Sequence, residues 1–210
     1  SIGVTHFIFI DNGSTDKSYS KINKYAKDLN IQIYYTQDSY KRNNFGAVWI
    51  NRILKKFKNN WFLIVDMDEI LVLKNNQKLA DIRHKMIRNK KKIANLILID
   101  FYPINKINYK NDISNLNPFD VNCYYDRFVR NESSPASFKY LKYLISKKDG
   151  FCAWGGFRQR IYKKDSVCLT KKSFFKYDFG NFYDISCGYH WIFENKKLIF
   201  KKLCKRIYKK

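Results

Sequence analysis

Two carboxylates one residue apart follow a short apolar run in the first half of the chain. Asp66 and Asp68 come directly after Trp61–Val65, and Glu69 extends the acidic cluster. Unpaired carboxylates this close repel each other, and a hard divalent cation removes that repulsion while keeping coordination positions for phosphate oxygens. Asp66 and Asp68 therefore predict a metal site that stabilises a diphosphate leaving group. The alternative is that these acids pair with the many lysines or cap a helix.

A second acidic residue ends the first apolar run of the chain. Asp11 follows Phe7–Ile10 and precedes Asn12-Gly13, which is a turn signal. In an open α/β sheet, ligands bind beyond the carboxyl ends of the strands, so two acidic strand ends are the main physical argument for a ligand site. Asp11 is expected to accept hydrogen bonds from a nucleotide base or ribose or to stabilise an Asx turn, and the two roles are compatible.

Two later segments carry guanidinium and imidazole groups. In Gly155–Arg160 the glycines permit close approach of the backbone, and Arg158 and Arg160 project to the same side if the segment is extended. Two guanidinium groups suit a phosphate or an acidic sugar, and a turn with solvated arginines is an equal alternative. His190 can complete a carboxylate metal site as neutral imidazole, although a lone histidine is more often a packed or surface residue.

The elements that position these residues alternate between apolar runs and helical stripes. Strands are predicted at Phe7–Ile10, Ile31–Tyr35, Trp61–Val65 and Ile93–Ile99, and helices around the stripes Ile22–Leu29 and Ala47–Phe57 and at Leu79–Arg88. This β-α-β-α-β order predicts an α/β fold with a mostly parallel sheet, right-handed crossovers and helices on both faces. Beyond Asp100 the pattern weakens, and short strands and loops are expected.

The composition indicates a folded domain with an extreme positive charge. The 210 residues are 45% hydrophobic with a formal net charge of +23, and they contain no run that could cross a bilayer and no signal peptide. A lysine-rich composition, an anionic membrane partner and a nucleic-acid partner each account for the charge. Residues 196–210 are a basic tail that suits a lipid headgroup layer or is simply solvated. Five cysteines without a C-x-x-C pair favour a reducing compartment, the cytoplasm.

Five segments of the chain carry a family resemblance when they are taken in order. They are HFIFIDNGSTD at 6–16, WFLIVDMDEILV at 61–72, GGFRQRIY at 155–162, CLTKK at 168–172 and GYHW at 188–191. This series resembles a bacterial glycosyltransferase family 2-like group with the GT-A fold, which is Rossmann-like. The resemblance implies transfer of a sugar from a nucleotide diphosphate donor, with UDP-sugars favoured, to a glycan or lipid-linked acceptor in lipopolysaccharide or capsule synthesis.

The resemblance also implies roles for single residues. Asp11 would contact the nucleotide, and Asp66 and Asp68 would be the D-x-D pair that holds Mn²⁺ or Mg²⁺, with Asp68 the closer ligand. His190 would complete the metal site, while the role of Glu69 stays open. We expect one domain over residues 1–210, with a nucleotide-sugar and metal-binding half at 1–100, an acceptor-side half at 101–195 and the basic tail.

Two departures from the family pattern bear on the activity. The family has another strand and helix before the equivalent of His6, so a start at Ser1 would leave a sheet edge exposed. The Glu-Asp pair that supplies the base in many inverting members is also missing, and Asp126, Glu132 and Asp184 are candidates by position alone. The rival functions are a metal-dependent nucleotidyltransferase, a basic nucleic-acid-binding module and a transferase fragment without activity.

Overall fold

A computed structural model describes the first half of the chain almost completely and the second half in short pieces. The described residues are 2–74, 76–103, 124–126, 129–130, 154–157, 161, 169–178, 182–184 and 191–193. The chain divides into two compact units, one formed by Ser1–Ala94 with Ser173–Lys210 and the other by Asn95–Lys172. Within the described ranges, every helix is too short or too polar to cross a membrane.

Three helices and eleven strands have defined bounds in the described residues. The helices are α1 Ser18–Tyr25, α2 Ala47–Lys56 and α3 Leu79–Arg88. The strands are β1 Phe7–Asp11, β2 Ile31–Tyr35, β3 Trp61–Leu63, β4 Ile93–Ile97, β5 Phe101–Tyr102, β6 Tyr124–Tyr125, β7 Val129–Arg130, β8 Trp154–Gly155, β9 Thr170–Lys176, β10 Phe182–Asp184 and β11 Trp191–Phe193. The second strand and the third helix begin and end at the predicted residues, because an apolar run and a helical stripe are local signals.

The predicted GT-A arrangement, a mostly parallel sheet flanked by helices on both faces, is wrong for this chain. β1 and β2 pair in parallel as a sheet of their own. β3 instead pairs antiparallel with β9, in a five-stranded sheet in which β9 also pairs with β4 and β11. β10 completes this sheet by pairing antiparallel with β11. The remaining pairs, β5 with β6 and β7 with β8, are short and antiparallel. The β-α-β order of the sequence does not reveal that a late strand, β9, takes the place beside β3.

The core of the first unit lies where α2 packs on β9 and β10. Phe175 of β9 is fully buried, and its ring stacks with that of Phe62 from β3 at a centroid distance of 6.0 Å. The predicted stripe of α2 meets this core, since Ala47 and Leu54 are buried and Ile50 packs against them. Burial of this apolar surface is the main stabilising contribution to the unit.

The apolar stripe of α1 is mostly exposed, unlike that of α2. The structure confirms a helix over Ser18–Tyr25, but none of its residues is buried. Tyr25 is 58% exposed, and Leu29, on the turn that follows, is 44% exposed. The spacing therefore predicted a helix here, although Ala26 and Leu29 of the predicted stripe lie beyond its last residue, and most of its apolar face is exposed.

The turn that leads into α2 contains three successive left-handed residues. Asn44, Phe45 and Gly46 have φ angles of 52°, 51° and 82°. A Cβ atom on Gly46 would lie 3.2 Å from Cε2 of Tyr40, which is closer than an ordinary carbon contact. The backbone conformation and the Tyr40 ring therefore both favour glycine at this position.

Replacing this glycine is expected to destabilise the first unit measurably. Gly46→Ala should lower the free energy of unfolding by about 2 kcal/mol, because it adds left-handed strain and a contact with Tyr40. Gly13→Ala is the matched control, since Gly13 also has a positive φ of 73° but its added Cβ would meet no atom closer than 3.9 Å. It should lose about 1 kcal/mol, from strain alone. Urea unfolding measures both values, and equal losses would show that Tyr40 does not constrain the turn.

Candidate acidic site after strand β3

The predicted metal-binding carboxylates lie in a closed turn three residues beyond β3. The backbone N–H of Glu69 donates to the carbonyl oxygen of Asp66 at 3.0 Å. The backbone N–H of Asp66 in turn donates to the Oε2 atom of Glu69 at 2.9 Å. These reciprocal bonds define the acidic turn, Asp66–Glu69, and they show that the Glu69 side chain closes it. The role of Glu69, which the motif leaves open, is thus at least partly structural.

The middle of the acidic turn projects away from the core. Asp66, Met67 and Asp68 are exposed, and Met67 retains 80% of its accessible surface. Asp68 forms no hydrogen bond or ion pair with any residue in the described ranges. The only ion pair among those residues joins Lys92 and Asp178, elsewhere in the first unit. Pairing of Asp68 with lysines is therefore not observed in the described part of the chain.

The chemistry of the turn fits a small hard cation. Its oxygens are the donor type that Mg²⁺ and Mn²⁺ prefer, and Mg²⁺ typically takes one or two protein carboxylates and completes its shell with water and phosphate. No cluster of three or more His, Cys, Asp or Glu side chains suited to a metal occurs among the residues described. Asp66 and Asp68 would be the protein ligands of such a cation in the described part of the chain, and His190, the third predicted ligand, lies outside it.

A buried tyrosine lies within electrostatic reach of the acidic turn. Tyr183 of β10 is 1% exposed, and burial, together with the negative charges of Asp66 and Glu69, raises the pKa of its phenol above the usual value. The phenol therefore stays neutral at physiological pH and can act as a hydrogen-bond donor. Sequence reasoning missed Tyr183, because its role depends on packing between elements that are far apart in the chain.

Asn51 of α2 holds the backbone of this tyrosine. Its Nδ2 atom donates to the carbonyl oxygen of Tyr183 at 2.6 Å, and its Oδ1 atom accepts from the backbone N–H of Tyr183 at 2.8 Å. Both hydrogen-bonding groups of the Tyr183 backbone are thus bound to one side chain. The available sequence signal was a single asparagine within the apolar stretch Ala47–Leu54.

Asp11 is a buried residue at the carboxyl end of β1. It is 7% exposed, and its Oδ1 atom accepts a hydrogen bond from the backbone N–H of Ser14 at 3.0 Å. This is the Asx-type turn that was one of its two predicted roles. Asn12 then joins the ends of β1 and β2, because its Nδ2 atom donates to the carbonyl oxygens of Thr36 and Asp38 at 3.1 and 3.0 Å.

The two acidic strand ends do not share one sheet. Asp11 ends β1 in the parallel β1–β2 sheet, whereas the acidic turn follows β3 in the five-stranded sheet. The argument from the carboxyl ends of neighbouring parallel strands therefore does not apply to this pair. The acidic turn remains a candidate site because of its own carboxylates.

An aromatic loop between β2 and α2 carries a second feature that sequence reasoning missed. Tyr40 packs edge-on against Phe45 at 5.7 Å between ring centroids and lies 6.0 Å from Trp49, and both Tyr40 and Phe45 are about half exposed. An electrostatic contribution from Tyr40 also raises the pKa of Tyr183, so this loop lies in the vicinity of that tyrosine. Trp49 is 7% exposed, and its Nε1 atom has no hydrogen-bond partner among the residues that the structure describes. A buried unpaired donor costs about 1–3 kcal/mol.

Asp126, one of the three candidates for a base, belongs to the second unit. Its Oδ1 atom accepts a hydrogen bond from the hydroxyl group of Tyr102 at 2.9 Å, and the Tyr102 ring stacks on Phe157 at 4.4 Å. One carboxylate oxygen is thus bound to a phenol that is itself held by stacking. A base must release such a contact or use its other oxygen.

Several predicted site residues fall outside the described residues. These are Arg158, Arg160, Glu132 and His190, together with the basic tail at 196–210. For Asp184 the backbone alone is described, as the last residue of β10. Their predicted roles stay predictions.

Comparison with known proteins adds no relative of this chain. No family model, no curated protein and no solved structure matches it. A functional assignment therefore depends on the chemistry of the residues and on the motif resemblance.

Proposed function

We propose that this protein is a metal-dependent glycosyltransferase that moves a sugar from a nucleotide diphosphate donor to a glycan or lipid-linked acceptor. UDP-sugars are the favoured donors, and surface polysaccharide synthesis at the inner face of the plasma membrane is the favoured setting. The observation that carries the proposal is the acidic turn, in which Glu69 closes the loop while Asp68 is exposed without a partner in the described ranges. The motif series around Asp11 and Asp66 supplies the reaction class.

The residues of the chain have distinct tasks in the proposed reaction. Asp66 and Asp68 would bind Mn²⁺ or Mg²⁺, which neutralises the charge that develops on the diphosphate as it leaves. Arg158 or Arg160 would add charge-assisted hydrogen bonds to the same phosphates. Asp11, whose carboxylate also holds the turn at Ser14, would accept a hydrogen bond from the nucleotide.

The bond changes follow from this arrangement. An acceptor hydroxyl attacks the anomeric carbon, a new carbon–oxygen bond forms, and the bond from the anomeric carbon to the diphosphate oxygen breaks. A carboxylate takes the hydroxyl proton, and the nucleoside diphosphate leaves with the electron pair. In an inverting reaction the base lies on the face opposite the diphosphate.

Product analysis tests the proposal directly. The chain is incubated with Mn²⁺, a panel of nucleotide sugars and candidate acceptors, and nucleoside diphosphate and pyrophosphate are measured separately. Release of nucleoside diphosphate supports sugar transfer, while release of pyrophosphate supports a nucleotidyltransferase. Release of neither product with any donor and acceptor would contradict the enzymatic proposal.

Ligand binding gives a second readout that needs no acceptor. UDP at about one hundred times its Kd should stabilise the fold by about 2.7 kcal/mol in the presence of Mn²⁺. The same UDP concentration with a chelator should give little stabilisation, because the metal joins the carboxylates to the phosphates. Equal stabilisation with and without the metal would exclude a cation at the acidic turn.

A further inference from the structure

Helix α1 and the turn after it expose apolar side chains on a strongly basic protein. Tyr19, Tyr25 and Leu29 are 48%, 58% and 44% exposed, and Ile22 is only partly buried. The helical path continues past α1, since the backbone N–H of Leu29 donates to the carbonyl oxygen of Tyr25 at 3.0 Å. Residues three and four apart share a helix face, so Ile22, Tyr25 and Leu29 form one apolar stripe.

A row of lysines runs along the side of this stripe. Its members are exposed and recur every three or four residues: Lys17, Lys21, Lys24 and Lys27. Asp16 and Asp28 flank the row, and the Asp16 carboxylate accepts a hydrogen bond from the backbone N–H of Ser18 at 2.9 Å and also interacts electrostatically with Lys21. The segment 16–28 thus combines four positive charges with two negative charges beside an apolar stripe.

This combination matches the chemistry of an anionic lipid surface. Lysine stems lie along apolar surface while the ammonium groups reach the phosphates, and tyrosine suits the boundary between headgroups and acyl chains. Each lysine near an anionic bilayer contributes favourable electrostatic energy, and the net charge of +23 adds long-range attraction. A nucleic acid would engage the lysines equally well, but it offers nothing to the aliphatic side chains of Ile22 and Leu29.

We propose that α1 and its following turn, residues 17–29, bind the surface of an anionic membrane, with Tyr25 and Leu29 inserted between the headgroups. This surface is distinct from the acidic turn, and the proposal does not depend on sugar transfer. It also assigns membrane contact to a described helix rather than to the basic tail alone.

Vesicle sedimentation with the full chain tests the apolar part of the proposal. Vesicles of phosphatidylcholine mixed with phosphatidylglycerol should bind the protein, and vesicles of phosphatidylcholine alone should bind it weakly. The double variant Tyr25→Ser, Leu29→Ser keeps every charge and should bind the mixed vesicles on the order of tenfold more weakly. The matched control is Val72→Ser, Ile87→Ser, which removes two apolar side chains that are 71% and 55% exposed and should leave binding unchanged. Circular dichroism checks that both variants stay folded.

A charge-reversal pair tests the electrostatic part. Lys21→Glu with Lys24→Glu should abolish vesicle binding. The control, Lys85→Glu with Lys91→Glu, makes the same change in net charge on and beside α3 and should retain most of the vesicle binding. The proposal would be overturned if the two charge-reversal pairs lost vesicle binding equally and if Tyr25→Ser, Leu29→Ser had no effect. Binding would then reflect attraction by the net charge of the whole protein. The proposal would also be overturned if the parent protein bound RNA but not vesicles, and if the double variant Tyr25→Ser, Leu29→Ser bound RNA equally well. That result would identify a nucleic acid as the partner.

Discussion

Asp68→Asn is expected to reduce kcat/KM for metal-dependent sugar transfer by about a hundredfold to a thousandfold, because it removes a charged ligand of the proposed cation. Its free energy of unfolding should change by less than about 0.5 kcal/mol. The side chain is exposed and forms no bond with any described residue, so the fold does not depend on its charge. Steady-state kinetics with a UDP-sugar and direct titration of Mn²⁺ measure the two effects.

Glu69→Gln is the matched control for this loss. It removes one negative charge from the same turn but keeps a side-chain oxygen that can accept the backbone N–H of Asp66. If Asp68 binds the cation directly, the glutamine variant should retain much more activity and Mn²⁺ affinity than Asp68→Asn. Equal affinity of the parent and Asp68→Asn for Mn²⁺ would contradict a ligand role for Asp68.

Phe175→Ala is expected to lower the free energy of unfolding by about 3–5 kcal/mol, because it leaves a cavity in the centre of the first unit. Phe175 is fully buried in β9, lies beside its strand partner Phe62 of β3 and belongs to the same core cluster as Ala47 and Leu54 of α2. A loss of this size is a large part of the stability of an ordinary domain. Urea unfolding of the full chain, followed by tryptophan fluorescence, measures it.

Phe45→Ala controls for the loss of a phenyl ring as such. Phe45 is 43% exposed and makes its ring contact with the exposed Tyr40, so its removal should cost less than about 1 kcal/mol. The left-handed backbone at Phe45 is retained by alanine, so backbone strain stays similar. A loss for Phe45→Ala as large as that for Phe175→Ala would show that the core is not centred on β9.

Local elements were predictable because their signals lie within a few residues. The apolar run of β2 and the helical stripe of α3 determine both bounds of each element without reference to the rest of the chain. The Asx turn at Asp11 was predictable for the same reason, since its carboxylate and the Ser14 N–H are three residues apart.

Strand pairing was not predictable, because every residue except proline offers the same backbone donor and acceptor to a neighbouring strand. The residue types of β9 also do not indicate a buried strand. Lys171 and Lys172 are 5% and 8% exposed, although two adjacent lysines in a sequence favour a solvated surface. β3 pairs antiparallel with β9, which is far away in the sequence. The predicted fold class is wrong because of this long-range pairing.

The sequence alone determined which chemistry the chain can offer: paired carboxylates after an apolar run, an aspartate at the end of the first strand and a large excess of lysine. Tertiary structure decided how those groups are used. Packing buried Tyr183 within electrostatic reach of the acidic turn, brought Asn51 to the Tyr183 backbone and left most of the apolar stripe of α1 exposed. The physical reason is that side-chain chemistry and helical periodicity are properties of neighbouring residues, whereas burial depends on which distant segment packs against them.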